Sequence, residues 1–135
     1  MRLIHKNERG EKMNIVFNKR DAVYVQVVHH FKQLIAKGEL EPGQEIPSRR
    51  ELASQLKINP NTAQRAYKEM EEEGLIHTES NQPSKITTDL NLISGMRSAL
   101  ILESVSGFID SMKEINVPLD ECLNLVKAGY EKENV

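Results

Sequence analysis

Apolar residues in the stretch 21–40 recur at steps of three and four: Val23, Val27, Phe31, Leu34 and Ile35. That spacing lines one face of a helix. Asp21 offers a carboxylate to the free amides of a first turn, and Gly38 offers the left-handed residue that ends a last one. The pattern predicts a helix over about 22–37.

A shorter helix is expected over about 49–56. Ser48 and Glu51 have the capping-box spacing, in which each side chain bonds the other's backbone amide, and Leu52, Ala53 and Leu56 then face inward. Lys57-Ile58 breaks the period and Asn59-Pro60 restarts it. Asn caps well, and Pro fits the first helical position, where its missing N–H costs nothing. Ala63, Ala66, Tyr67 and Met70 form the stripe of a third helix, closed by Gly74. The acids Glu71, Glu72 and Glu73 oppose the helix dipole there and read as a solvated surface rather than a metal site. Residues 75–79 and 84–87 read as two short strands around a Ser80-Asn81-Gln82-Pro83 turn. Two helices joined by a tight turn and followed by a β-ribbon make a winged helix-turn-helix.

Beyond Asp89 the pattern changes. Ile101, Val105, Phe108, Met112 and Ile115 step by four and three, and so do Leu119, Leu123, Val126 and Tyr130. Asn116-Val117-Pro118 divides the two runs into a helical hairpin. Two helices cannot enclose a core of their own. Long stripes of this spacing often pair helices, so Ile101, Val105, Phe108, Met112, Leu123 and Val126 are the expected dimer contacts. The fold class is mainly α with a small β-wing: a lead-in over 1–20, a winged helix-turn-helix over 21–89 and a helical dimerisation region over 90–135.

Composition agrees with a helical chain: 39% of the residues are hydrophobic, Trp is absent, and only three Phe and three Tyr occur. Charge divides it. Residues 1–70 hold 13 Lys/Arg and 8 Asp/Glu, whereas residues 71–135 hold 5 and 12. The basic half suits a polyanion and the acidic half does not. Cys122 is the one cysteine, so no internal disulfide can form, which points to the reducing cytoplasm. It lies beside the last apolar stripe and reads as a packed or interfacial thiol. The first twelve residues lack a signal-peptide core, and Met13 is an alternative start. No apolar run approaches the roughly 20 residues that span a bilayer, so no membrane partner is expected. His29 and His30 are adjacent and so diverge on a helix, which is not metal-site spacing. No nucleophile–base pair, phosphate cradle or paired-carboxylate site points to catalysis, and no cofactor is expected.

The chemistry concentrates on the third helix. In a helix-turn-helix its N-terminal residues meet the base edges of the major groove. Asn61, Thr62, Gln64, Arg65 and Lys68 are polar and lie opposite the Ala63/Ala66/Tyr67/Met70 stripe. Gln64 can bond adenine through both amide atoms, Arg65 can reach phosphate or guanine, and Thr62 can bond phosphate beside the positive helix end. Arg49 and Arg50 open the second helix beside Ser48, where the dipole disfavours cations. A phosphate or guanine across that helix start supplies a reason for them.

The run from Tyr24 through Gly38, Pro42-Gly43, Pro47-Ser48-Arg49-Arg50-Glu51-Leu52-Ala53, Asn59-Pro60-Asn61-Thr62 and Gly74-Leu75-Ile76 resembles the GntR family of winged-helix regulators. The resemblance covers about 70 residues, and the short helical tail resembles the family's YtrA-type subgroup. It implies a transcription regulator whose DNA-contacting arginine is Arg50, with Arg49 standing where Glu is usual. The wing departs from the family pattern. Glu79 and Ser80 replace a basic pair, Asn81 and Pro83 occupy glycine positions, and Lys85 replaces an aromatic. The family's minor-groove wing contact is therefore not expected in its usual form, although Asn81 and Lys85 remain candidates for phosphate.

The function expected is that of a homodimeric repressor on a pseudo-palindromic operator, controlling a small operon such as a transporter's. Two alternatives stay open: a sensor whose C-terminal helices hold a small-molecule effector, and a winged helix that binds protein.

Overall fold

The computed structural model describes residues 15–133. The order of residues 1–12 and the alternative start at Met13 lie outside them. Five helices and a two-stranded ribbon follow one another: α1 (Val23–Lys37), α2 (Arg49–Leu56), α3 (Pro60–Glu72), β1 (Ile76–His77), β2 (Lys85–Ile86), α4 (Leu90–Glu114) and α5 (Leu119–Glu133).

The expected stop signals operate. Gly38 ends α1 with φ 81°, and Gly74 follows α3 with φ 77°. The capping box at α2 is complete: the Ser48 hydroxyl accepts from the Glu51 N–H, and the Glu51 carboxylate accepts from the Ser48 N–H, each at 3.1 Å. One start signal is corrected. Ala22 occupies the N-cap of α1 with no side-chain bond. Asp21 instead accepts from the Asn18 side chain at 3.2 Å. Gln26 ties the incoming chain down, accepting from the Asn18 N–H at 2.9 Å and donating to the Asn18 carbonyl at 3.1 Å. A primary amide can donate and accept at once, which a carboxylate cannot.

The ribbon is shorter than expected. β1 and β2 pair antiparallel with Ile76 opposite Ile86 and His77 opposite Lys85. Pro83 has no N–H to extend the ladder. A third segment, silent in the hydrophobic pattern, lies on the other side of β2. The Ile86 N–H donates to the Gln44 carbonyl and the Ile46 N–H donates to the Ser84 carbonyl, both at 2.9 Å.

Val27, Phe31, Leu34, Leu52, Ala66, Tyr67, Met70, Leu75, Ile76 and Ile86 are buried in one core. Phe31 and Tyr67 meet edge to face, ring centres 5.8 Å apart. The Tyr67 hydroxyl donates to the Pro47 carbonyl, so the polar end of this buried ring is satisfied. Burial pushes its pKa well above the ordinary tyrosine value. Leu92, Ile93 and Met96, from the first two turns of α4, complete this core.

The chain divides into two compact units after Arg97. The second comprises the rest of α4 and all of α5, turned at Asn116 in the left-handed region (φ 56°). Among its described residues only Cys122 is buried. Ile101, Val105, Phe108, Leu123 and Val126 are exposed and Met112 is half-buried.

At 25 residues α4 is long and apolar enough to cross a membrane by length and composition. It holds no unbroken apolar run of that length, because serines 94, 98, 104 and 106 and the charged Arg97, Glu103 and Asp110 interrupt it.

Candidate nucleic-acid interface

The geometry of the third helix begins with its start. Lys57 adopts the left-handed conformation (φ 56°) and ends α2, and Asn59 then caps α3 by accepting from the Asn61 N–H at 2.8 Å. Ala63, Ala66, Tyr67 and Met70 are buried on one side of α3, while Asn61, Gln64, Arg65 and Lys68 are exposed on the other and Thr62 is half-buried between them. Asn61, Gln64, Arg65, Lys68, Glu69 and Glu72 line a shallow surface recess. Its chemistry is graded. Amides and cations occupy the end nearer the helix start, and the acids occupy the end nearer the C-terminus. A polyanion is therefore attracted to the first turns and repelled from the last.

Three arginines that look alike in sequence have different surroundings. Arg49 is half-buried, pairs through Nη2 with Glu71 near the end of α3, and sits 5.2 Å above the Tyr67 ring. Its Nε is buried without a hydrogen-bond partner among the described residues. The expected reason for a cation at this helix start was a phosphate or guanine; Glu71 is a partner inside the protein. Arg50, one residue on, is exposed. Arg65 lies 3.9 Å over the ring of Tyr24 in α1.

The acids ending α3 are likewise not simply solvated. Lys32 of α1 donates to Glu73 at 2.9 Å, so α1 and α2 each send a cation to the negative end of α3. These contacts offset the unfavourable dipole interaction of the acids. Tyr24 and Glu71 are the residues sequence reasoning missed. Each lies in another helix from its arginine, so no local spacing reveals the pair.

On the wing, Asn81 and Lys85 are exposed. Asn81 has φ 61° and its turn closes by the Gln82 N–H donating to the Glu79 carbonyl at 3.0 Å. Asn tolerates this region better than other side-chain-bearing residues, so it holds the turn where the resemblance calls for glycine. Lys85 shares a shallow recess with His77 and Glu79, which places an acid beside the wing's cation. In α1, His29 is exposed, whereas His30 is half-buried with Nε2 unpartnered among the described residues. Burial holds His30 below its ordinary value, with Lys37 and His29 acting the same way against Glu39.

Residues 23–86 match the family model of bacterial regulatory proteins, gntR family. The chain is 34% identical over 119 residues to the uncharacterized HTH-type transcriptional regulator YhcF of Bacillus subtilis, covering 88% of this chain and 98% of that protein. The chain belongs to the GntR family. It is also 34% identical to the HTH-type transcriptional repressor YtrA of Bacillus subtilis, over 78% of this chain and 82% of that one. A GntR family transcriptional regulator from Listeria monocytogenes superposes with a TM-score of 0.79 at 31% identity, covering 83% of this chain and 98% of that chain. This GntR chain is a DNA-binding transcriptional regulator with a winged helix-turn-helix and C-terminal helices, and it is not an enzyme.

Proposed function

We propose that this GntR regulator is a cytoplasmic homodimeric repressor that reads a pseudo-palindromic operator with α3 and uses its wing as a secondary prop. The observation that carries the reading is the uncommitted polar face of α3, set opposite a fully buried stripe. Asn61 and Gln64 are the base readers. Arg50, Lys68, Thr62 and the Ser48 hydroxyl hydrogen, left free by the cap, hold the phosphates. Arg49 serves mainly to fix the start of α2 against α3. Asn81 and Lys85 give the wing at most a phosphate contact, because the acid Glu79 lies beside them.

The second unit supplies the dimer through Ile101, Val105, Phe108, Met112, Leu123 and Val126. A second copy fits this surface better than a bilayer does. Glu103 and Asp110 interrupt α4, and an acid at the centre of a membrane helix costs about 2.5–3.5 kcal/mol. Repression needs only occupancy of a promoter, and the likeness to the YtrA repressor supports it. A small operon, such as a transporter's, is the proposed target.

Fluorescence anisotropy on a duplex enriched from random DNA tests the reading. Replacing Arg50 or Gln64 with Ala should each weaken binding by about 1–3 kcal/mol, and Gln64→Ala should relax base preference at one position per half-site. Unchanged affinity and salt dependence in both variants would remove the start of α2 and the exposed face of α3 from the interface.

A further inference from the structure

We propose that Tyr24 is a positioning residue for operator binding: its ring pre-orients Arg65, whose guanidinium edge then meets a phosphate beside the start of α1. The inference rests on the reading of α3 given above and assigns a role to a residue outside α3.

Three observations carry it. Tyr24 is the second residue of α1, half-buried and packed at the edge of the core, so its ring is a fixed platform. The Arg65 guanidinium carbon lies 3.9 Å from the centre of that ring, well inside the distance at which a cation is attracted by the ring face. Arg65 is nevertheless exposed, and its N–H groups have no hydrogen-bond partner among the described residues.

Stacking uses the face of a guanidinium and leaves its five in-plane donors free. Arg49 shows the contrast within the same domain. It too lies over a ring, but its Nη2 is taken by Glu71 and its Nε is buried. Arg65 therefore combines an ordered side chain with unspent donors, the arrangement that suits an anion. Lys68, one turn further along the exposed side of α3, adds to the positive field there.

An arginine free in solution loses rotamer freedom when it grips a phosphate. Immobilising one such side chain weakens binding by roughly 2- to 12-fold. A ring that has already ordered Arg65 removes that penalty.

The test is a double-mutant cycle on the full chain, with anisotropy on the enriched duplex at several salt concentrations. Tyr24→Leu keeps apolar bulk at the edge of the core and removes the ring face. Tyr24→Phe keeps the ring and serves as the rescue. Tyr24→Leu should weaken binding by roughly 2- to 12-fold in the wild-type background, but less than 2-fold when Arg65 is already Ala. Arg65→Ala should lower the salt slope by about one ion, and Tyr24→Phe should bind like wild type. Equal effects of Tyr24→Leu in both backgrounds, no effect in either, or Arg65→Ala binding like wild type would each overturn the proposal. Gln64→Ala run in parallel separates the two failures. If it weakens binding while the cycle shows no coupling, the reading of α3 stands and only the role of Tyr24 falls.

Discussion

The two units of this chain put regular apolar stripes to opposite ends. In the first, α1, α2, α3 and the ribbon bury Val27, Phe31, Leu52, Tyr67, Met70 and Ile86 in one core. In the second, Ile101, Val105, Phe108, Leu123 and Val126 follow an equally regular pattern and remain exposed, with Cys122 alone buried among the described residues. A stripe of period 3.5 needs a facing surface. Three crossing helices supply one to each other, and two helices in a hairpin do not. Periodicity thus reveals that a face wants burial without revealing what buries it.

The sharpest way to break the comparison is a charge in the exposed stripe. Phe108→Asp should turn a dimer into monomers in sedimentation analysis while leaving the melting of the first unit nearly unchanged. Operator affinity should fall by roughly 10²–10⁴-fold, the gain that linking two binding events provides. The matching change in the first unit, Phe31→Ala, should instead destabilise the fold by about 3–5 kcal/mol in denaturant titration. If Phe108→Asp unfolds the first unit, the two units are not separate in the sense argued here.

Glu71→Ala comes next. It leaves Arg49 partly buried without its carboxylate, and denaturant midpoints should report a loss of about 1–3 kcal/mol. The salt slope of operator binding should not change, because Arg49 is already engaged within the protein; a lower slope would return Arg49 to the phosphate contacts. On the wing, Asn81→Val places a β-branched residue at φ 61° and should cost about 1–2 kcal/mol, whereas Asn81→Gly should be neutral or slightly stabilising by the same measurement.

The smallest effect concerns pH. Burial lowers the pKa of His30 in the folded chain. The unfolded chain then binds the proton more readily, so His30 contributes stability above its ordinary value near 6.5, and that contribution is lost as pH falls toward the depressed folded value. Melting temperature should drop less between pH 7.5 and 5.5 for His30→Gln than for wild type.

Much of this was legible in the chain itself. The α2 capping box, the Asn59-Pro60 start of α3 and the glycines at 38 and 74 act locally, so spacing alone announces them. The buried and exposed sides of α3 follow from its period. Asp21 misled because Gln26, in the first turn of α1, folds back to hold the incoming chain at Asn18 and Asp21. The segment at 44–46 was missed because a backbone pair needs no side-chain pattern. The roles of the arginines were hidden for a related reason. Glu71 lies 22 residues from Arg49 and Tyr24 lies 41 from Arg65. Only the packing of three helices decides which cation is already engaged and which is free to meet DNA.

Selection of bound duplexes from random DNA by the full chain tests the central claim most directly. The account predicts enrichment of two inverted copies of one half-site, centred about 10–10.5 base pairs apart or a multiple of that. A single unrepeated motif, or no enrichment at all, would contradict it.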